Sequence, residues 1–247
     1  MDQGSGSGGT ITLWRATAQA ELDLVATAGW RAWPASFADR PFEVHLERRP
    51  AELVARTSLA ATAGVGYVTS FEVRSAFVEH CLGHRIGSGS DAWYSLPEAE
   101  VAGLNENLVS VIIEQAEYRA ALDDREFADA RAAALPSAWR GYLQRSAWFR
   151  RGWQPTGCYL WLYPPREGIE LAEAWGEDAV GAHPGIAIIG GNGSREHLAI
   201  DLRKDDPPVL LVDAYASEGW ADALVQANSV AEFTGRVEAG SFDFSWD

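Results

Sequence analysis

The sequence predicts an α+β protein built from two domains, and three observations carry that expectation. The 247 residues are 47% hydrophobic, enough for one large core or two smaller ones at roughly 100 to 200 residues per domain. The second half orders its periodic segments as helix, helix, several antiparallel strands, helix, a pattern of segregated rather than alternating elements. No stretch recurs at a fixed period, which excludes solenoids and propellers. The boundaries read from these patterns are a flexible leader at 1–9, a first domain at 10–120, a second at 123–240 and a tail at 241–247.

The leader MDQGSGSGG lacks the charged and then apolar regions of an export signal. TITLWRAT reads as a strand, and residues 19–28 as a helix with Leu22, Leu24 and Val25 as its apolar stripe. A loop rich in Trp and Pro follows at 30–42, then a helix at 50–61 with Pro50 in its first turn. In VGYVTSFEV, Tyr67, Thr69, Phe71 and Val73 alternate with Val68, Ser70 and Glu72, as a half-buried strand would. A helix holding Phe77, Val78 and Cys81, the glycine-rich IGSGSD, the short AWYSLP, a helical turn at 98–104 and the run LVSVIIEQAEYR complete the first domain.

The second domain opens with an Ala-rich helix at 123–134, and Leu135-Pro136 separates it from a helix at 137–149 carrying Trp139, Tyr142, Leu143 and Trp148 at helical spacing. Strands are expected at CYLWLY, GIAIIGG, EHLAIDL and PVLLVDA, with Gly190-Gly191-Asn192-Gly193 as a tight hairpin connection. A helix at 229–238, capped by Ser229, closes the fold.

Composition excludes several function classes. No apolar run approaches the ~18 residues of a membrane span, so no membrane partner is expected. Lys plus Arg number 20 against 35 Asp plus Glu, a net charge of −15, which repels a phosphate backbone and argues against nucleic acid. The acidic excess is concentrated late: residues 152–247 carry 5 basic and 16 acidic residues, whereas Arg125, Arg131, Arg140, Arg145, Arg150 and Arg151 cluster before them. Cys81 and Cys158 stand far apart without metal-ligand spacing, so neither a disulfide framework nor a zinc site is expected, and the chain suits a reducing cytoplasm. His80 and His84 lack a third ligand, and His183 and His197 stand isolated in sequence.

The segment LPSAWRGYLQ, then PGIAIIGGNGSREHLAIDL and PPVLLVDA, resembles the SUKH superfamily. The likeness rests on Leu135, Pro136, Trp139, Tyr142 and Leu143, on the strand entering the glycine-rich turn at 190–193, and on a second strand ending in Asp201-Leu202. It spans roughly 123–240 and departs from the family at Ser146-Ala147-Trp148, where a polar residue and Gly are usual. The resemblance implies a noncatalytic α+β binding domain of the bacterial immunity type, which neutralises a cognate polymorphic toxin. The turn at 190–193 lacks the Lys and following helix of a phosphate loop.

The first half is similar, through LWRAT, YVTSFEV and DAWYSLPEAEVAGLN, to compact ADP-ribosyltransferase-like domains. That resemblance implies Arg15 at the dinucleotide position and Tyr67 with Thr69 and Ser70 at the middle-strand position. Active members carry Glu-x-Glu or Gln-x-Glu before a short apolar strand, and here Trp93 falls at the catalytic glutamate. An indole carries no negative charge to stabilise a ribosyl cation. Glu98 and Glu100 form a displaced Glu-x-Glu, with Glu106 further on. Trp14, Trp30, Trp33 and Trp93 are read as core material.

The combined expectation is a noncatalytic immunity protein that uses no cofactor. Its second domain would occlude a basic toxin with an acidic sheet face anchored by Trp161, Trp175 and Trp220. One alternative is an NAD-dependent mono-ADP-ribosyltransferase using Arg15, Tyr67 and Thr69 to bind NAD, Ser70 in support, and Glu98 or Glu100 as catalyst. A noncatalytic scaffold is the other.

Overall fold

A computed structural model of the chain describes residues 9–34, 41–89, 92–213, 215 and 218–247. The leader through residue 8, the middle of the 30–42 loop and Ser90-Asp91 fall outside the described residues. Helices and largely antiparallel strands make this an α+β fold, in two compact units, Met1–Tyr118 and Arg119–Asp247.

The first unit holds β1 (Thr10–Thr17), α1 (Gln19–Thr27), β2 (Phe42–His45), α2 (Arg48–Val54), α3 (Ala61–Ala63), β3 (Val65–Arg74), α4 (Ser75–His80), β4 (Arg85–Ile86), β5 (Trp93–Leu96), α5 (Glu98–Glu106) and β6 (Ile113–Ala120), the last two residues of which belong to the second unit. Its strand order is β4-β5-β2-β1-β3-β6. One sheet face carries Leu13, Phe42, Val44, Phe71, Tyr94 and Leu96, which pack with Val25, Phe77, Val101, Leu104 and Trp33 from the surrounding helices and loop.

Two expectations are corrected in this unit. The helix expected at 50–61 starts at Arg48 and widens into a π-helical stretch, Ala55–Ala60, before α3. That stretch lies against Gly66, where a Cβ would overlap the Ala55 carbonyl. This close approach also explains why β3 is not half-buried: Val65 to Phe71 are all buried, with the helices and β3's two neighbouring strands leaving little of it in water. Of the four tryptophans read as core, Trp33 is fully buried and Trp14, Trp30 and Trp93 are half-buried.

The second unit holds α6 (Ala130–Ala133), α7 (Ser137–Leu143), β7 (Ala147–Trp153), β8 (Tyr159–Leu162), α8 (Pro165–Ala174), α9 (Glu177–Ala182), β9 (Ile186–Gly191), β10 (Glu196–Asp201), β11 (Val209–Asp213), β12 (Leu224–Ala227) and α10 (Val230–Glu238). Strands β7 to β12 lie in sequence order, each antiparallel to the next. Asn192 accepts from the Ser194 amide at 2.9 Å and Gly193 has φ +80°, so the expected hairpin forms between β9 and β10. Ser229 caps α10 through the Glu232 amide.

Four corrections fall here. The helix expected at 123–134 breaks into a 3-10 turn, Asp124–Phe127, and α6, because Asp123 and Asp129 each accept the amide two residues on and start a fresh turn. The helix expected at 137–149 stops at Leu143, and Trp148 and Phe149 belong to β7. Their helical spacing was coincidental: Ala147, Trp148 and Phe149 are buried in succession, on both sides of a strand, and Tyr142 Oη accepts the Phe149 amide at 3.1 Å. Helices α8 and α9 interrupt the expected run of strands between β8 and β9, and strand β12 extends it. The stretch read as a tail packs into the core through Phe242, whose ring stands 5.0 Å edge-on from Phe233.

Candidate functional site

In the first unit, the β1–β3 register sets Arg15 opposite Thr69 and Trp14 opposite Ser70. Because side chains alternate along a strand, Arg15, Thr17, Tyr67 and Thr69 share one sheet face and Ser70 projects from the other. Arg15 is 5% exposed and its guanidinium already engaged. Its Nε donates to Glu21 Oε1 at 2.8 Å, its Nη1 donates to the Glu43 carbonyl at 2.7 Å, and it lies 4.0 Å over the Phe42 ring. Thr69 Oγ1 and Thr17 Oγ1 are 2.9 Å apart, and Tyr67 Oη donates to the Gln19 side chain. On the opposite face Gln115 Nε2 donates to Ser70 Oγ at 2.8 Å.

Glu98 and Glu100 stand in the first turn of α5 rather than on the sheet. Glu98 lines a cavity of about 390 Å³ with Pro41, Phe42, His84, Ser95 and Leu96, and none of Arg15, Tyr67, Thr69 or Ser70 lines it. Glu100 faces His80 at 3.8 Å. Trp93 pairs with His45, which pairs with Trp14, so Trp93 projects to the face opposite Arg15. His45 is 6% exposed, and burial, aided by the Arg15 charge, holds its pKa below the ordinary histidine value.

Glu21, in the first turn of α1, is the carboxylate that pairs with Arg15. A Gln-x-Glu also stood in the sequence at Gln115-Ala116-Glu117. It lies on β6 beside β3, with Glu117 buried to 1% exposure. The pattern itself is the sequence signal, set inside the apolar run LVSVIIEQAEYR.

In the second unit the row Trp161, Gly191, His197, Val212 runs across β8 to β11 on one sheet face. His183 and His197, isolated in sequence, are brought together there. Trp175 meets His197 at 5.4 Å and His183 at 5.7 Å, and Trp220 meets His183 at 5.2 Å. Burial keeps the His197 pKa low despite Glu196 and Asp213 nearby. Trp220 is half-buried, donates Nε1 to the Pro184 carbonyl at 3.1 Å, and is flanked by exposed Glu218 and Asp222. Trp161 sits apart from that pair, 5.5 Å from the Arg150 guanidinium and 5.6 Å from that of Arg151. Acidic surroundings thus belong to Trp220, and basic ones to Trp161.

A groove of about 470 Å³ opens in the same unit between α6, α8, α9 and the start of β9. It exists because Gly168 lets α8 lie directly on β9, where a Cβ would overlap the Ile188 carbonyl. Its walls include Leu135, Trp139, Ile169, Ala172, Val180 and Ile186, with Arg131, Glu173 and Glu177 at the rim.

Among the described residues, no group of three or more His, Cys, Asp or Glu is placed to hold a metal ion, and no helix is long and apolar enough to cross a membrane. No protein-family model matches the chain, and no curated protein matches it.

Proposed function

We propose that this chain is a two-domain, noncatalytic immunity protein, with a degenerate ADP-ribosyltransferase-like first domain and a SUKH-like second domain that binds and neutralises a cognate basic toxin in the cytoplasm. The observation that carries the noncatalytic part is the state of Arg15. A dinucleotide-binding arginine must offer free donors to a phosphate or ribose, and this one is spent on Glu21, a backbone carbonyl and an aromatic face inside the core. Ser70 cannot assist it, since the two project from opposite faces of the sheet. On the binding side, support comes from Trp220 standing half-buried between Glu218 and Asp222, an aromatic anchor with an acidic rim suited to a basic partner.

The test is affinity capture from the source lysate with cross-linking mass spectrometry, together with an NAD-consumption assay on the same sample. One dominant basic partner, cross-linked to the second unit with no NAD turnover, supports immunity. Several unrelated partners would favour the scaffold reading instead. The Gln115-Ala116-Glu117 pattern on β6 favours one form of the enzyme reading, in which Glu117 replaces Glu98 and Glu100. NAD turnover that survives both Glu98→Gln and Glu100→Gln but is lost in a folded Glu117→Gln would select it.

A further inference from the structure

The groove of the second unit pairs an apolar floor with an acidic lip. Glu173 on α8 and Glu177 at the start of α9 line the rim with Arg131, and Glu170 stands three residues before Glu173 on the same side of α8. Two of the three already hold cations. Glu170 pairs with Arg166 and Glu173 with Arg131, each at 2.8 Å, and all four side chains are more than half exposed. Exposed pairs of this kind contribute little and exchange readily for an incoming cation. Beneath them Ala172 and Ile169 are half-buried, and Val180 on α9 is 38% exposed. The cavity volume falls in the range that admits a ligand or a short row of side chains.

We infer that this groove docks a basic amphipathic helix of the partner protein, its apolar side chains at i, i+3/i+4 and i+7 entering between α6, α8 and α9, and its Lys and Arg side chains meeting Glu173 and Glu177 at the rim. The charge argument selects this occupant: the rim adds acid to a chain whose net charge is already −15, so an acidic or neutral helix would gain nothing from it. The inference rests on the proposed binding function and assigns that function a docking surface.

The probe is a fluorescein-labelled Leu/Lys amphipathic peptide of about four helical turns, roughly 14 residues, titrated with the full chain by anisotropy. Its Leu/Glu counterpart serves as the control. Three variants separate docking from bulk attraction. Ala172→Phe fills the groove at constant charge. Val180→Asp makes the chain more acidic while spoiling the lip, so simple charge attraction predicts tighter binding and groove docking predicts weaker. Glu177→Lys reverses one rim charge. The expected result is a Kd raised roughly tenfold by Ala172→Phe and by Val180→Asp, and severalfold by Glu177→Lys in a manner that salt diminishes.

Binding by Val180→Asp and Ala172→Phe as tight as by the parent overturns the inference, as does equal affinity for the Leu/Glu peptide. A dimer in light scattering that Ala172→Phe dissociates overturns it in favour of a second copy of the chain. Val180 is partly exposed, so its variant remains informative even where Ala172→Phe fails to fold. Failure of the groove is distinct from failure of immunity: a toxin still captured by Val180→Asp leaves the function standing without the groove. Peptide binding with no captured partner does the reverse.

Discussion

Replacing Arg15 by Ala distinguishes a structural arginine from a ligand-binding one, because the two roles predict opposite observables. The side chains of Arg15 and Glu21 are 7% and 11% exposed. Removing one partner of such a pair leaves a nearly buried carboxylate uncompensated, which costs about 3 to 5 kcal/mol. Loss of the charged hydrogen bond to the Glu43 carbonyl and of the Phe42 stacking act on the same group and do not add in full. A loss of about 4 kcal/mol, divided by a urea m-value of about 2 kcal/mol/M, moves the unfolding midpoint down by about 2 M. The assay is urea denaturation followed by tryptophan fluorescence, with Trp33, 5.6 Å from the Arg15 guanidinium, reporting directly on the site. Arg15→Lys, which keeps charge but not the fork, should fall between the two. A midpoint shifted by less than about 0.3 M, coupled with lost NAD binding, would refute the structural argument and return Arg15 to the dinucleotide role.

Other consequences are equally open to measurement. His45 and His197 have folded pKa values below the ordinary one, His45 through burial and Arg15, His197 through burial. The unfolded chain therefore binds more protons below about pH 6.5, and stability must fall as pH drops through that value towards 5. Melting curves from pH 7.5 to 5 should show the decline and His197→Gln should flatten it; a level profile in the parent contradicts the assignment. Burial first, then the Glu100 charge, pushes the Cys81 thiol up to about 11. Mass mapping should thus find Cys81 unmodified by iodoacetamide at pH 8 in the native protein and alkylated in urea. Gly219 has φ +61° and a Cβ there would overlap the Ala182 carbonyl. Gly219→Ala should destabilise by at least about 2 kcal/mol and loosen the Trp220 ring from His183, read as a red-shifted emission.

Local periodicity made most of the fold legible: β1, α1, β3, the β9–β10 hairpin and the capped α10 stand where their patterns put them. It misled where a strand is buried on both faces, since Ala147, Trp148 and Phe149 carry no alternation to separate them from a helix. It also missed α8, whose Glu-rich, Gly-containing sequence lacks an apolar run because the helix meets β9 through Gly168. The candidate site was less legible still. Strand register, which no single sequence prints, decides that Arg15 and Ser70 part company across the sheet. The pairing of His183 with two tryptophans likewise depends on α9 and the turn Gly219–Ala221, short elements without a periodic apolar signal.

The closing residues bear on how the second unit is made. Phe242 completes the packing against α10, its carbonyl accepts from Thr156 Oγ1 at 2.6 Å, and Ser245 is held at 2.8 Å by both its amide and its carbonyl to Gln226. The Thr156 contact joins positions 86 apart and cannot form on a nascent chain until Phe242 has left the ribosome. During synthesis β7 and β8 therefore emerge well before this last packing partner, so the Thr156 end of the unit closes late, as non-local contacts do.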